Sequence, residues 1–278
     1  MAETVIELRQ VHKSYGRSLV LKGVDMRVER GDLYGLIGKN GAGKTTLFKV
    51  ILGLTRYQGQ LSILGGHSEA ENLRNRSRIG FSVGPCFYPA MSGRENLAYY
   101  CRMKGIADRK EPDRVLEMVG LSRSAGAKAV RGYSMGMRQR LELANALLGS
   151  PEILILDEPI NGLDPQGIAD IRNLLIDLNR EGRTLLVSSH ILAELEHTAR
   201  RFGIVNQGVL VRELDSEELA RATGLTALTV ADSDAERAKA LLESQGIAVT
   251  GMRRAGESLE EYYFNLVGDE KKGGAGHA

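Results

Sequence analysis

The chain has 278 residues, of which 42% are hydrophobic and 26% are charged, and its formal net charge at pH 7 is +2. This length and composition predict a globular protein with one large α/β domain and a small additional part, and the small net charge argues against direct binding of nucleic acid. No apolar run approaches the roughly eighteen residues that a membrane span needs, and the first residues lack the pattern of a signal peptide. The two cysteines, Cys86 and Cys101, stand in no metal-ligand spacing, which is typical of a reducing cytoplasm.

The N-terminal residues predict two strands joined by a turn. Residues 4–11 alternate apolar and polar side chains, as a half-buried strand does, and strand-like character resumes over 18–28. Tyr15 lies in the intervening turn. Its ring can stack on an adenine base, because stacking tolerates modest misalignment, or it can be a loop tyrosine half packed on the surface. The position of Tyr15 alone leaves both interpretations open.

Residues 38–45 satisfy the P-loop pattern of a glycine, four residues and then Gly-Lys-Thr. A short apolar strand is predicted before the loop, at 32–37, and a helix is predicted after it, at 46–52. A glycine-rich loop can reach this pattern by chance, but its place between a strand and a helix favours phosphate binding. We therefore predict that the chain binds a nucleoside triphosphate.

The residue types in this loop follow from phosphate chemistry. Gly38, Gly41 and Gly43 carry no Cβ that would crowd the approach of phosphate oxygens to the main chain. Lys44 can bring an ammonium group to the β- and γ-phosphates, and the Thr45 hydroxyl can ligate Mg²⁺. The predicted nucleotide-binding residues of the loop are Gly38, Lys39, Asn40, Gly41, Ala42, Gly43, Lys44, Thr45 and Thr46.

The middle of the chain is interpreted as a helical insertion into a parallel-sheet domain. A strand at 59–65 and a polar stretch up to Arg78 lead into a brief apolar strand at 79–83, which Gly84 and Pro85 end. Apolar periodicity then predicts helices at 95–103, 113–119 and 135–148.

Two adjacent carboxylates follow a buried strand. Residues 153–156 are an unbroken aliphatic run, which predicts a strand buried on both faces, as in a parallel sheet. Asp157 and Glu158 come next, at the end of the strand where open α/β sheets bind ligands. Asp157 can hold Mg²⁺ through water, and Glu158 can orient or deprotonate the attacking water. Paired carboxylates are common on surfaces, but the buried strand and the P-loop favour the functional interpretation.

The following elements bring a histidine to the same edge of the predicted sheet. A helix is predicted at 167–180, and a second buried strand at 184–189 ends at His190. A lone histidine is more often structural than catalytic, yet one at the mouth of a strand opposite a P-loop can contact a γ-phosphate. Residues 204–211 predict a hairpin that turns near Gly208.

The last part of the chain differs in character from the rest. Its pattern predicts strands at 227–230 and 247–250, a helix at 234–244 and an amphipathic helix at 258–267. These elements carry no phosphate or metal chemistry.

The predicted domain organisation follows from these elements. Residues 1–212 are predicted to form an α/β domain with a parallel-sheet core, an antiparallel β subdomain and a helical subdomain at about 86–149. Residues 213–268 are predicted to form a small α+β appendage. Residues 269–278 are charged and rich in glycine, which predicts a disordered tail.

Taken together, these motifs resemble the nucleotide-binding subunits of ABC transporters across nearly the whole chain. The distinguishing stretch is Tyr133-Ser-Met-Gly-Met-Arg-Gln-Arg140, which is similar to the family's signature motif, Leu-Ser-Gly-Gly-Gln. Ser134 and Gly136 agree with that motif, and three other positions differ. This form of the signature is similar to the exporter branch that contains bacitracin- and lantibiotic-resistance ATPases.

By this resemblance the chain is an ATPase with the P-loop NTPase fold, and its cofactors are ATP and Mg²⁺. The resemblance implies that Tyr15 stacks on the adenine and that Thr45 and Asp157 hold the metal. It implies catalytic roles for Glu158, at the end of the Walker B strand, and for His190, the switch histidine.

The same resemblance implies that the active unit is a head-to-tail dimer. Ser134, Met135 and Gly136 then contact the γ-phosphate of the ATP bound by a second copy of the chain, and residues 161–164 form the D-loop. A separate transmembrane permease carries the transport pathway. The subunit is therefore expected in the cytoplasm, peripheral on the cytoplasmic face of the cell membrane and without direct membrane insertion.

One departure from the family concerns Gly84. The family places Gln, or in this branch sometimes Glu, at the end of the strand at 79–83, whereas neither residue type occurs between Ile79 and Arg94. We therefore expect this loop to lack the usual side-chain contact to the metal and the γ-phosphate. The alternative function is accordingly an ATP-binding regulatory or non-transport ABC protein with weak hydrolysis.

Overall fold

The computed structural model of the protein describes residues 3–84, 87–191, 195–196, 198–218, 228, 230–250 and 252. The chain divides into two units, residues 1–219 and 220–278. The described strands have the bounds Thr4–Tyr15 (β1), Ser18–Glu29 (β2), Leu33–Ile37 (β3), Gln58–Ile63 (β4), Ile79–Ser82 (β5), Ile153–Asp157 (β6), Thr184–Ser189 (β7), Arg201–Asn206 (β8) and Val209–Asp215 (β9). The α-helices with complete bounds are Lys44–Ile51 (α1), Glu69–Arg76 (α2), Gly93–Met103 (α3), Glu111–Met118 (α4), Arg123–Ala127 (α5), Met135–Leu147 (α6), Pro165–Arg180 (α7) and Ala235–Ser244 (α8).

The central sheet of the first unit has the strand order β5-β6-β7-β3-β8-β9. Strands β5, β6, β7, β3 and β8 run parallel, and β9 returns antiparallel to β8 through a hairpin. Along β6, Ile153 and Ile155 pack into one core while Leu154 and Leu156 pack into the other, so the strand is buried on both faces. This arrangement confirms the parallel sheet and the hairpin predicted from the sequence.

A second sheet, in the order β2-β1-β4, is antiparallel throughout. Its inward side chains share a core with helix α1 and with one face of the central sheet, as Ile6, Phe48 and Leu186 illustrate. These three residues are each buried to 0% exposure, so α1 is held between two apolar layers. The predicted antiparallel β subdomain is therefore confirmed.

The helices of the insertion pack against the opposite face of the central sheet. Leu97 of α3, Leu116 of α4, Leu141 of α6 and Leu175 of α7 share one core with Leu154 of β6. Burial of such side chains is the main force that holds the layer on the sheet. The predicted helices at 95–103, 113–119 and 135–148 are confirmed to within two residues at each end.

The structure contains one helix that was not predicted and lacks one strand that was. The polar stretch before Arg78 contains helix α2, which Ser68 begins as a capping box: its hydroxyl accepts from the Glu71 amide at 3.2 Å, and the Glu71 carboxylate accepts from the Ser68 amide at 2.9 Å. The predicted strand at 247–250 is wrong: these four residues form no strand, and Ile247 is 53% exposed. An alternation over only four residues is too short to specify the register of a pairing.

The second unit confirms one further element. Helix α8 coincides with the helix predicted at 234–244. Two of the four residues of the predicted strand at 227–230 lie outside the described residues, and the predicted helix at 258–267 and tail at 269–278 lie entirely outside them.

Candidate active site

The loop after β3 needs glycine for two different reasons. A Cβ on Gly38 would lie 2.5 Å from the carbonyl oxygen of Val205 in β8, so the loop can lie this close to the neighbouring strand only because position 38 has no side chain. Gly43 caps helix α1 at φ +113°, a left-handed conformation that L side chains rarely adopt. Between them, Lys39, Asn40 and Gly41 are exposed to solvent. The loop is thus fixed at both ends and open in the middle.

Lys44 is the first residue of α1, and its side chain is only 5% exposed. The ammonium nitrogen Nζ donates to the Gly38 carbonyl oxygen at 2.5 Å, lies 3.4 Å from the Lys39 carbonyl oxygen and lies 3.3 Å from Glu158 Oε1. The lysine is therefore folded back into the loop, where it joins the P-loop to the carboxylate after β6.

The side chains of Thr45 and Asp157, the two predicted metal ligands, are in direct contact. The Thr45 hydroxyl donates to Asp157 Oδ2 at 2.6 Å, and the Ser188 hydroxyl donates to Asp157 Oδ1 at 2.5 Å. Ser188 also accepts from the Glu158 amide at 3.0 Å. The sequence analysis assigned no role to Ser188, although a serine in a buried strand beside the carboxylate strand is a signal that could have found it.

Glu158 and His190 are in direct contact. His190 Nδ1 lies within hydrogen-bond distance of Glu158 Oε2, and the two side chains are 31% and 19% exposed. Glu158 has φ +52°, an unusual conformation for a residue with a side chain, which costs of the order of 1–3 kcal/mol and is common at functional sites. The pairing of β6 with β7, which sets Asp157 opposite Ser188, brings these groups together.

The Thr45 and Asp157 oxygens also suit a magnesium ion. Mg²⁺ prefers hard oxygen donors and takes few of them from the protein, the others coming from water and substrate phosphates. Among the residues that the structure describes, no group of three or more histidine, cysteine, aspartate and glutamate side chains is placed to hold a metal ion alone. This donor set therefore fits an ion that is shared with a phosphate ligand.

Tyr15 ends strand β1, and its side chain is 47% exposed. The Lys13 ammonium lies over the ring, with Nζ 4.6 Å from the ring centroid. This distance is typical of a cation–π contact. The tyrosine therefore presents an aromatic surface to solvent at the end of the antiparallel sheet.

Ser134, Met135 and Gly136 lie at the start of helix α6. Ser134 caps the helix, since its hydroxyl accepts from the Met137 amide at 3.2 Å, and both Ser134 and Met135 are exposed. Ser134 and Gly136 line a cavity of about 480 Å³, together with Leu163 and other residues after β6. The start of α6 thus lies beside the turn that follows the catalytic candidates.

Gly84 is the last residue that the structure describes after β5, and it has φ +63°. Among the described residues, no atom lies within 4 Å of a Cβ placed on it. Pro85 and Cys86 lie outside the described residues. The backbone at position 84 thus has a conformation that favours glycine, and glycine lacks the Gln or Glu side chain expected at this position.

Comparison with known proteins relates the chain to transport ATPases. A family model described as ABC transporter matches residues 21–161. The bacitracin transport ATP-binding protein BcrA of Enterococcus faecalis is 35% identical over 96% of this chain and 97% of its own length. The lantibiotic transport ATP-binding protein SrtF of Streptococcus pyogenes is 37% identical over 77% of this chain and 93% of its own length. A dimeric bacterial ABC transporter cassette of known structure superposes with a TM-score of 0.68 at 27% identity, over 76% of this chain and 98% of the other.

Among the helices within the described ranges, none combines the length and the apolar character that crossing a membrane demands.

Proposed function

Because the chain belongs to the ABC transporter family as an ATP-binding subunit, we propose that it hydrolyses ATP in a head-to-tail dimer and drives export through a separate membrane permease. The observation that carries this proposal is the convergence of Lys44, Thr45, Asp157, Glu158 and His190 at one edge of the central sheet. An ammonium that can bind phosphate oxygens, a hydroxyl and a carboxylate that can hold a metal, and a carboxylate and an imidazole that can orient water suit phosphoryl transfer to water.

ATP binding changes the partners of Lys44. Its ammonium is held by the Gly38 carbonyl oxygen and by Glu158, and the β- and γ-phosphates offer it stronger, charge-assisted contacts. When Lys44 turns to the phosphates, its 3.3 Å contact with Glu158 Oε1 is released, and that carboxylate oxygen is free to bind the attacking water. The adenine stacks on one face of the Tyr15 ring, and Lys13 lies over the other face.

Glu158 and His190 then act on the attacking water. Glu158 orients the water and accepts its proton on a carboxylate oxygen, while His190 Nδ1 keeps Glu158 Oε2 in place and leaves Nε2 to face the γ-phosphate. Thr45 and Asp157 would hold Mg²⁺, which when bound would supply positive charge to neutralise the phosphate oxygens. Ser188 fixes Asp157 and the backbone of Glu158 together, so the water and the phosphate meet in a defined geometry.

The start of α6 completes the site of a second copy. The Ser134 hydroxyl, the first amides of α6 and the helix dipole form an anion site, and Ser134 is exposed. Met135 and Gly136 extend this surface. A dimer with twofold symmetry therefore contains two equivalent composite sites, each with a P-loop from one chain and a Ser134 from the other.

The names of the relatives support a proposal about the chemical class of the cargo. These relatives are ATP-binding proteins of bacitracin and lantibiotic transport, so we infer that this subunit serves an exporter of a peptide antibiotic or another amphiphile. The loop after Gly84 offers an aromatic group for the permease: Tyr88, 48% exposed, packs edge-on against Tyr99 with ring centroids 5.1 Å apart. Binding of the permease to this aromatic group would hold the subunit at the cytoplasmic face of the membrane.

Substitution of the catalytic carboxylate tests the proposal. We expect Glu158→Gln to bind ATP at least as tightly as wild type, because the ion pair that competes for Lys44 is lost, but to lose turnover by about a hundredfold or more, because the amide cannot accept the proton. The protein should then accumulate as a dimer in ATP, which size-exclusion chromatography detects. A Glu158→Gln protein that binds ATP yet stays monomeric at high concentration would contradict the composite site.

The same assay addresses the regulatory alternative, which the lack of a side chain at Gly84 favours. A wild-type protein that forms the dimer in ATP but turns over no faster than Glu158→Gln would identify the chain as a binding subunit that does not hydrolyse ATP.

A further inference from the structure

The side chain of Met135 rests on the bare backbone of Gly162. A Cβ built on Gly162 would lie 2.2 Å from the Met135 methyl carbon Cε and 2.7 Å from its sulfur, so the thioether occupies the space of a side chain. Met135 is otherwise 58% exposed, and its contact with Gly162 is within its own chain. Gly162 has φ +73°, the left-handed region that glycine adopts without strain.

The next residue of each segment repeats the contact. A Cβ on Gly136 would lie 3.5 Å from the Leu163 methyl carbon Cδ2, which is an ordinary van der Waals distance. The start of α6 and the turn at 161–164 thus lie side by side. Both line the 480 Å³ cavity.

The turn at 161–164 is in turn attached to the catalytic candidate. The Asn161 amide donates to the Glu158 carbonyl oxygen at 3.2 Å, and Asp164 ends the turn by capping α7 through the Gly167 amide at 2.9 Å. A displacement of Gly162 therefore acts on the backbone of Glu158, whose left-handed conformation depends on its neighbours.

We propose that Met135 is a positioning residue that acts on Glu158 through the turn at 161–164 and thereby links the two composite sites of the dimer. The inference rests on the proposed function, in which Ser134 of one copy faces the nucleotide of the other copy. A phosphate bound at Ser134 fixes the position of the start of α6. Through the Met135 contact, the fixed helix start restrains Gly162. The turn at 161–164 then holds Glu158 of the same chain in position to act on that chain's own nucleotide. The flexible thioether suits the role, because it follows the shape of the glycine backbone.

A double-mutant cycle on Met135 and Gly162 tests the link. Met135→Ala removes the thioether, while Gly162→Ala both displaces the thioether and strains the turn at φ +73°. In the Met135→Ala background, Gly162→Ala no longer displaces a thioether and only strains the turn. The loss of kcat in the double mutant should therefore be smaller than the product of the losses in the two single mutants. We expect Met135→Ala to lower kcat by about fivefold, the size of a typical contact coupling, with an unchanged Kd for ATP in the isolated chain.

Three further measurements separate this role from a structural one. Met135→Leu should restore kcat to within about twofold of wild type, since it refills the space. Met103→Ala, at a methionine 68% exposed at the end of α3, should leave kcat unchanged. The melting temperature without nucleotide should be the same for all three variants.

The outcomes distinguish the inference from its premise. Wild-type kcat in Met135→Ala, or losses that multiply in the double mutant, would overturn the role of Met135 while the dimeric ATPase stands. A wild-type protein that neither hydrolyses ATP nor dimerises with it would overturn the proposed function and this inference together.

Discussion

Glu142 is a partly buried carboxyl group whose ionisation lowers the stability of the fold. It lies on α6, where the Ser82 hydroxyl of β5 donates to its Oε2 at 3.2 Å. Burial raises the pKa of Glu142 above its ordinary value of 4.5, and the Ser82 hydrogen bond opposes this only in part. An ionised Glu142 is therefore less stable in the folded protein than in the unfolded chain.

Glu142→Gln should therefore stabilise the protein at neutral and higher pH. A group with a raised folded pKa contributes fully below its unfolded pKa, and wild-type stability is lost as pH rises through the folded value. Glutamine keeps an acceptor for Ser82 and cannot ionise. We expect the free energy of unfolding to exceed that of wild type by about 1 kcal/mol near pH 8 and to converge with it below the ordinary glutamate pKa.

Urea unfolding at a series of pH values measures this difference. Glu117→Gln, at an exposed glutamate of α4, is the matched control and should track wild type across the series. If the advantage of Glu142→Gln were the same at every pH, ionisation of Glu142 would not be its cause.

At the catalytic centre, the sequence predicted the charged groups but not what holds them. Asp157, Glu158 and His190 were identified because each ends a buried strand, and the structure gathers them. Ser188 escaped notice, since its role depends on the register that sets it opposite Asp157. Met135 escaped a packing role for a similar reason, because its partner Gly162 is 27 residues away and carries no side chain to attract attention.

Among the elements, the loop before α3 is fastened by one buried amide. Asn96 is 0% exposed, and its Oδ1 accepts from the Tyr88 amide at 2.8 Å. Its Nδ2 lies 2.9 Å from the Ser92 carbonyl oxygen and 3.1 Å from that of Tyr88. This side chain therefore shapes the aromatic loop that we propose as the contact with the permease.

Asn96→Leu should loosen that loop without affecting nucleotide binding. The substitution leaves buried backbone groups of the loop unpaired, so we expect the free energy of unfolding to fall by about 1–3 kcal/mol. The Kd for ATP should not change, because the P-loop lies on another element, whereas stimulation of ATPase activity by the permease should decrease. Equal stimulation of Asn96→Leu and wild type would argue that the permease binds elsewhere.

The success of the element predictions depended on the kind of signal. Strands β6 and β7 are aliphatic runs that only a two-sided core can bury, so their existence and type followed from the sequence. Helix α2 has no apolar stripe, and its sequence signal is the capping-box pair Ser68 and Glu71. The apolar residues at 247–250 had the opposite fault, since alternation over four residues specifies no partner strand.

At the scale of the whole molecule, the order of the strands assembles the site. The carboxyl ends of β3, β7 and β6 are neighbours, because β7 lies between the other two and all three are parallel. The P-loop follows β3, His190 follows β7 and Glu158 follows β6, so residues far apart in the chain meet at one edge. The sequence showed that each group ends a strand, whereas adjacency required the sheet order, which no local pattern encodes.

The extent of the first unit determines which shortened chains should fold. Strand β9 runs to Asp215, beyond the domain end predicted at 212, and pairs with β8 along its length. The hydroxyl of Tyr34, which is 0% exposed, donates to Glu213 Oε1 at 2.6 Å. A chain that ends after Val211 loses that acceptor and half of the edge strand, whereas one that ends after Glu218 keeps both.

We therefore expect the chain ending after Glu218 to fold and to bind ATP with the Kd of the full-length protein, since every candidate ATP-site residue precedes that point. The chain ending after Val211 should be less stable by several kcal/mol, because a buried hydroxyl is left unpaired and the apolar residues of β8 are uncovered. Equilibrium unfolding and nucleotide titration measure both effects. Glu213→Ala in the full-length protein removes the Tyr34 hydrogen bond but keeps strand β9. It should therefore lower the free energy of unfolding by only a part of the amount lost in the chain ending after Val211. A folded chain ending after Glu218 that fails to bind ATP would mean that residues of the second unit belong to the nucleotide site.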